Sequence, residues 1–239
     1  MAREFRPLAA QESRNPRASG RGVLVYWHVE RGSVVVHSQT LRASAPEVAA
    51  MVEGAIRHDT TMSVEGNYVD SHGQSEIGFG VTRLLNVDLL PSIEQINRVK
   101  LYRPAAGEPG AYPNLAAAMT RPIRWEVIAA KWDQVIKYAT AIRTGTASTE
   151  AILSRFTRAA SHPAYQAMLE IGRAQKTIFV ARYLRDRALQ RDIEEGLNVV
   201  SGTKSRIPTT SQHREDTSPY HDAHHHPFDD RATTAEILS

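Results

Sequence analysis

The hydrophobic pattern of the chain changes its period once, near residue 122. Before that point, short apolar runs are separated by turn residues. Val23 to Val29 is apolar almost throughout, which predicts a strand buried on both faces. Ser33 to Gln39 predicts a second strand, and Glu30-Arg-Gly-Ser33 between them predicts a hairpin turn. Ser44 and Pro46 signal a helix start, with Val48, Met51, Val52 and Ile56 as its buried stripe. Tyr68 and Val69 end a third strand pattern at Asp70. Ser71 with Gln74 has the form of a capping box, and Ile77, Val81, Leu84 and Leu85 continue it as a helix over about 74–86. Val87 to Leu90 reads as a further short strand.

After residue 122 the apolar positions recur at steps of three and four. Ile128, Trp132, Val135, Ala139 and Ile142 share one helical face, and Gly145 stands where a C-cap glycine belongs. That spacing assigns Trp132, like Trp27 in the first strand, to the core. Ser148 with Glu150 starts a second helix, and Pro163 opens a third that runs toward Gly196, with Gly172 as a point of kinking or splitting. Residues 104–121 are rich in Pro, Gly and Ala and read as a loop. Residues 1–19 carry Arg3, Arg6, Arg14 and Arg17, show no sustained period, and read as a disordered basic arm. Residues 201–239 hold almost no large apolar side chains and read as a disordered tail.

Composition narrows the class. Over 239 residues the formal net charge is +3, a mildly basic balance that suits a nucleic-acid partner without requiring one. No cysteine is present, which removes disulfide frameworks and Cys-type zinc sites and fits a bacterial cytoplasmic protein. No apolar run approaches the length of a membrane span, and the N-terminal residues lack a signal-peptide core.

Asp70 is the sharpest candidate for chemistry. A carboxylate at the C-terminal edge of a sheet is where α/β folds hold ligands and metals. The plain alternative is an Asp that turns the chain into a helix. The words around it add to the picture: Tyr68-Val-Asp70-Ser-His-Gly-Gln-Ser-Glu76, Thr82-Arg-Leu-Leu85, Leu90-Pro91 and Lys100-Leu-Tyr-Arg-Pro104. With Gly20-Arg-Gly22, Val25-Tyr-Trp-His-Val29, Ile142-Arg-Thr-Gly-Thr146, Leu169-Glu-Ile-Gly-Arg173, Thr177-Ile-Phe179 and Glu195-Gly-Leu-Asn198, they form an ordered series. From about Gly20 to Val200 this series resembles the C-terminal catalytic domain of the Tn-three family, the replicative transposases of class II transposons.

The resemblance implies an α/β fold: a partial ribonuclease-H-like sheet over 20–103, a loop over 104–121, and a helical insertion over 122–200. It implies metal-dependent cleavage and strand transfer of DNA by two Mg2+ ions on an Asp-Asp-Glu set, with transposon ends and other transposase subunits as partners. Asp70 matches the second Asp of that set, as catalytic residue and metal ligand. The first Asp belongs on the strand before Val23, yet no Asp occurs before Asp59. The expectation is that the whole strand is missing, which leaves two inner strands with open apolar edges. The Glu should follow the helical insertion, where the resemblance has stopped; Glu215 has no suitable context. A gene truncated or frame-shifted at both ends accounts for this, and its product is expected not to cleave DNA alone.

Lys100, Arg103, Arg121 and Arg124, around the loop after the sheet, are candidates for following a phosphate backbone; scattered surface cations are the alternative. His72 is either a contact to DNA or metal-bound water, or an exposed first-turn histidine. His213, His221, His224, His225 and His226 in the tail offer ligands to zinc, nickel or copper without fixed geometry. Two other functions therefore stay open: a non-catalytic DNA-binding or subunit-interaction remnant, and a His-rich metal-binding protein.

Overall fold

The computed structural model describes residues 5–13, 24–30, 34–41, 46–58, 60–70, 73–107, 110 and 112–206, with side chains described over 25–199 of these. Residues 1–207 form one compact unit of mixed α/β structure. The elements are β1 (Phe5–Ser13), β2 (Leu24–Glu30), β3 (Val35–Leu41), α1 (Glu47–Ile56), β4 (Ser63–Val69), α2 (Glu76–Leu84) and β5 (Asp88–Pro91). They continue with β6 (Leu101–Arg103), β7 (Met119–Pro122), α3 (Trp125–Thr144), α4 (Thr149–Arg158), α5 (Pro163–Arg185) and α6 (Arg187–Arg206). No described helix is long and apolar enough to cross a membrane.

The main sheet has the order β3-β2-β1-β4-β5. β2 and β3 form the expected antiparallel hairpin, closed by the Glu30 N–H on the Val34 carbonyl at 2.8 Å. β4 pairs in parallel with β5. Between these pairs lies β1, antiparallel to β2 and parallel to β4. The sequence reading is corrected here: residues 1–19 are not an arm without a strand, and the central strand is present. Its sequence hides it. Phe-Arg-Pro-Leu-Ala-Ala-Gln-Glu-Ser has no alternation and no β-branched residue, so the order comes from neighbours on both sides rather than from propensity. Pro7 argues against a strand because it lacks an N–H, but the pairing with β4 shifts register between Arg6 and Leu8, so the bulge falls at the proline. With β1 in place, β2 and β4 have no open inner edges.

Helices cover both faces of this sheet. Ala10 pairs with His28 on one side and with Val69 on the other, so these residues share a face, and Tyr68, one residue along, lies on the opposite face. α1 covers the first face: a Cβ on its Gly54 would fall within 1.9 Å of the His28 ring. His28 is fully buried with Nε2 3.2 Å from the Met51 carbonyl oxygen, and its burial pulls its pKa down to about 4. α6 covers the second face, where Gly196 leaves room for the Tyr68 ring.

Local signals are followed in most places and displaced in some. Gly145 ends α3 in the left-handed region, φ 75°, and Ser148 caps α4 by accepting from the Ala151 N–H at 3.1 Å. The N-cap of α2 is Ser75, which accepts from the Gly78 N–H, rather than Ser71. Pro46 itself is the N-cap of α1. The end of the supposed 104–121 loop is β7, parallel to β6 in a second, two-stranded sheet. Trp132 is 47% exposed and not a core residue, although Ile128, Val135, Ala139 and Ile142 on its stripe are buried. α6 carries helix on to Arg206, past the expected tail boundary.

Gly172 does not split its helix: α5 runs unbroken from Pro163 to Arg185. The break falls instead at Asp186, whose Oδ1 accepts from the Ala188 and Leu189 N–H groups and so caps α6. Gly172 serves another purpose. A Cβ there would lie 1.7 Å from the carbonyl oxygen of Glu76 in α2, and a Cβ on Gly80 of α2 would lie 2.3 Å from the carbonyl oxygen of Met168 in α5. The two helices cross with their backbones in contact, which only glycine permits at these positions.

Gly172→Ala is therefore expected to destabilise the protein by about 3 kcal/mol, the upper part of the range for overpacking a core, despite alanine's better helix propensity. Gly107→Ala, where an added Cβ meets nothing within 4 Å, is expected to be near neutral. Urea unfolding followed by circular dichroism compares the two; a Gly172→Ala variant as stable as the parent contradicts the crossing.

Candidate functional site

The parallel strands β4 and β5 end on the same edge of the sheet, and the polar groups of interest collect there. Asp70 directly follows β4 and is half-buried. Its carbonyl accepts from the Gly73 N–H at 3.2 Å, while the Ser92 N–H after β5 returns to the Val69 carbonyl at 2.9 Å. Ser75 then starts α2, so Glu76 is its first residue, where a carboxylate is favoured by the helix dipole.

Glu76 accepts a hydrogen bond from the Tyr102 hydroxyl and forms an ion pair with Arg173 Nε at 2.8 Å. Arg173 reaches Glu170 Oε1 through Nη1, also at 2.8 Å. Glu170 is completely buried and takes four further donors: Arg121 Nη2 at 2.7 Å, Arg121 Nη1 at 3.3 Å, Arg124 Nε at 2.8 Å and the Arg124 backbone N–H at 3.2 Å. Burial by itself would raise the Glu170 pKa. The hydrogen bonds from Arg121 and Arg124 and the charge of Arg173 outweigh it and bring the group down to about 2. The guanidinium groups of Arg121 and Arg173 both pack on the Tyr102 ring, about 5.5 Å from its centre. The Tyr102 N–H donates to Thr177 Oγ1 at 3.0 Å, which ties β6 to α5.

Beside this network lies an open cleft of about 450 Å³, walled by Gln74, Glu76, Glu94, Arg98, Lys100 and Lys176 among others. Lys176 is half-buried; burial lowers its pKa, and Glu76 partly offsets the shift. Glu76 is committed to Arg173 and Tyr102, which leaves Glu94 as the other carboxylate on the wall.

The sequence-derived candidates thus separate. Lys100 is exposed on the cleft wall. Arg103 donates through Nε to the Thr120 carbonyl at 3.0 Å and serves the β6–β7 join. Arg121 and Arg124 hold Glu170, so their expected contact with a phosphate backbone competes with an ion pair already formed. His72 and the tail histidines lie outside the described residues. Glu76, Arg98, Tyr102, Glu170, Arg173 and Lys176 were missed as site residues. One signal was legible: Glu170 stands inside the buried stripe of Ala167, Met168, Ile171 and Ala174, where a lone charge demands partners.

The donor set does not fit a two-metal centre. Among the described residues no three His, Asp or Glu side chains come together in a way that could hold an ion. Ala10 pairs with Val69, and Gln11 follows Ala10 as Asp70 follows Val69. On the neighbouring strand Ala9, Ala10 and Gln11 supply no carboxylate, and the one carboxylate of β1, Glu12, follows one residue beyond Gln11.

Comparison with known proteins gives a consistent result. The family described as Tn3 transposase DDE domain matches residues 5–206. The transposase for transposon Tn1546 of Enterococcus faecium is 28% identical over 186 residues, which is 77% of this chain and 19% of that protein. The transposase for insertion sequence element IS1071 in transposon Tn5271 of Comamonas testosteroni is 27% identical over 199 residues, 83% of this chain and 20% of its own. The transposase for transposon Tn501 of Pseudomonas aeruginosa is 25% identical over 189 residues, 77% of this chain and 19% of its own. The chain spans 19% to 20% of the length of these relatives. No solved structure matches.

Glu170→Ala is expected to cost about 3 kcal/mol at neutral pH, the order for removing one partner of a buried ion pair. Arg124→Ala should cost about 1 kcal/mol or less, because that side chain is 44% exposed and solvent screens it. The Glu170 pKa is depressed in the folded state, so its contribution is present above the ordinary value of 4.5 and is lost as pH falls toward 2. Urea titrations of parent and Glu170→Gln at pH values across that window should converge; a constant difference down to the lowest pH contradicts the charged network.

Proposed function

The chain belongs to the Tn3 transposase DDE domain family, and from that premise we propose that it contacts DNA as part of a transposase framework without cleaving it alone. The single observation that carries this reading is the strand beside Asp70. The family resemblance implies an Asp there, whereas this chain has Gln11 in step with Asp70 and a longer acid, Glu12, one residue further along. The sheet order β3-β2-β1-β4-β5, with three antiparallel strands followed by parallel ones, supports a ribonuclease-H-like arrangement in which β1 and β4 carry the first two acids side by side. In this reading Asp70 takes the second of these positions, and the first falls to Gln11, with Glu12 one residue out of step.

Two divalent ions, magnesium in the reading given by the resemblance, need several carboxylates to offset their charge, and phosphoryl transfer depends on both being placed. Asp70 alone cannot place them. What remains is a framework whose basic residues favour a polyanion. The binding partner in this reading is transposon DNA, and an intact transposase subunit is a second partner that the chain could join or obstruct. The transposase for transposon Tn1546 is about five times the length matched here, and recognition of transposon ends is not part of this proposal.

With Mg2+ or Mn2+, purified protein is expected to produce no nicking of transposon-end DNA above the level of an Asp70→Ala variant. Its binding to DNA is expected to be weak, independent of sequence, and steeply reduced by salt. Cleavage that Asp70→Ala abolishes overturns the non-cleaving part of the proposal; lack of DNA binding at low salt overturns the rest.

A further inference from the structure

The cleft beside Glu76 has features that the family relationship does not assign. Three cations face it, Arg98, Lys100 and Lys176, each from a different segment: the single 3₁₀ turn at Ile96–Arg98, the residue before β6, and the middle of α5. Of its carboxylates, Glu76 is already neutralised by Arg173 and bonded by Tyr102, which leaves Glu94 against three positive charges. Lys176 is the most informative. Holding an ammonium half out of water without a close ion-pair partner is unfavourable, and burial accordingly lowers its pKa. A site in that condition gains from an arriving anion. Gln74, just before the α2 N-cap, adds an amide that can donate to an oxygen on the same wall.

Size narrows the ligand. About 450 Å³ lies within the range of pockets that hold one small-molecule-sized unit. A nucleotide fits in such a space. A duplex, one turn of which runs about 34 Å, does not enter it. We propose that this cleft receives a single unpaired nucleotide of a DNA strand, its phosphate held by Lys176 and Lys100 with Arg98 at the mouth. The inference rests on the DNA-contacting reading above and adds to it a place and a preference for single strands over duplex. Sequence-tolerant binding follows, because the named contacts are to phosphate and none reads a base edge.

The test uses the full chain and fluorescence anisotropy with labelled oligothymidylate, against a blunt duplex of equal length, over a range of salt concentrations. The single strand is expected to bind more tightly. Lys176→Met and, separately, Lys100→Met should each flatten the salt dependence of log K by about 0.7, the amount for one phosphate contact on a single strand. Lys137→Met, on the exposed side of α3 and away from the cleft, should leave it unchanged. Lys100 is exposed, so its variant keeps the test valid if Lys176→Met folds poorly. Thymidine monophosphate and inorganic phosphate are expected to compete only at far higher concentration than the oligonucleotide. Equal competition by the mononucleotide overturns the polynucleotide assignment in favour of a free nucleotide. DNA binding that survives both cleft substitutions, Lys176→Met and Lys100→Met, with its salt slope intact, or that prefers duplex, overturns this inference and leaves the DNA-contacting reading standing. No binding to either DNA overturns both.

Discussion

Two glycines let helices α2 and α5 touch backbone to backbone, and most of what is distinctive here depends on that contact. Gly172 sits against the Glu76 carbonyl, and Gly80 against that of Met168. Once Gly172 is fixed against the start of α2, geometry settles its neighbours. Arg173, the next residue, meets the Glu76 carboxylate. Glu170, three residues earlier on the same helix, comes under Arg173 at i,i+3 spacing. Lys176, one turn onward, arrives at the cleft wall. A helix that lies far along the chain thereby supplies Glu170 and Arg173 to the ion-pair network and Lys176 to the cleft.

The second constraint is electrostatic. Burying a carboxylate completely is unfavourable unless its lone pairs and its charge are matched. Glu170 meets this with three arginines drawn from β7, from the residue before α3, and from its own helix. The arrangement joins the small β6–β7 sheet to the helices. It also removes Arg121 and Arg124 from the set of free cations, so the positive face of the site is carried by Arg98, Lys100 and Lys176 instead. Tyr102, clasped between guanidinium groups and bonded to Glu76, is the hinge pin between the network and the cleft.

Much of this fold was legible in the sequence, for identifiable reasons. The β2–β3 hairpin, β4 leading into Asp70, and the starts of α4 and α5 follow from apolar period, from the cap Ser148 and from Pro163 at the first position of its helix. β1 was not legible, because alanines and a proline carry no strand signal and its order comes from pairing on both edges. Gly172 was misread because a glycine inside a helix looks like a weak point unless the facing backbone is known. Trp132 was misread because helical spacing gives a stripe but not its width. At the edge of the sheet the sequence picked out Asp70, Lys100, Arg121 and Arg124, but not the partner that holds the two arginines. Arginines close together in sequence read as a surface for phosphate, and nothing local reveals that a buried glutamate forty-six residues downstream of Arg124 holds them. The absence of an Asp before Asp59 was legible, and the structure changes its meaning: the strand is there, and it carries Gln11 and Glu12 where an Asp was expected.

The central claim is that the glycine crossing makes the sheet and the helices one cooperative body. Native-state hydrogen exchange in low, increasing urea tests it most directly, with peptides from β4, α2 and α5 followed together. The account predicts that the slowest amides of all three segments open with a single free energy and the same dependence on urea. Protection that persists in α5 while β4 and α2 exchange freely would contradict it, because the helices would then stand as a separate unit and the cleft between them would not be a fixed site.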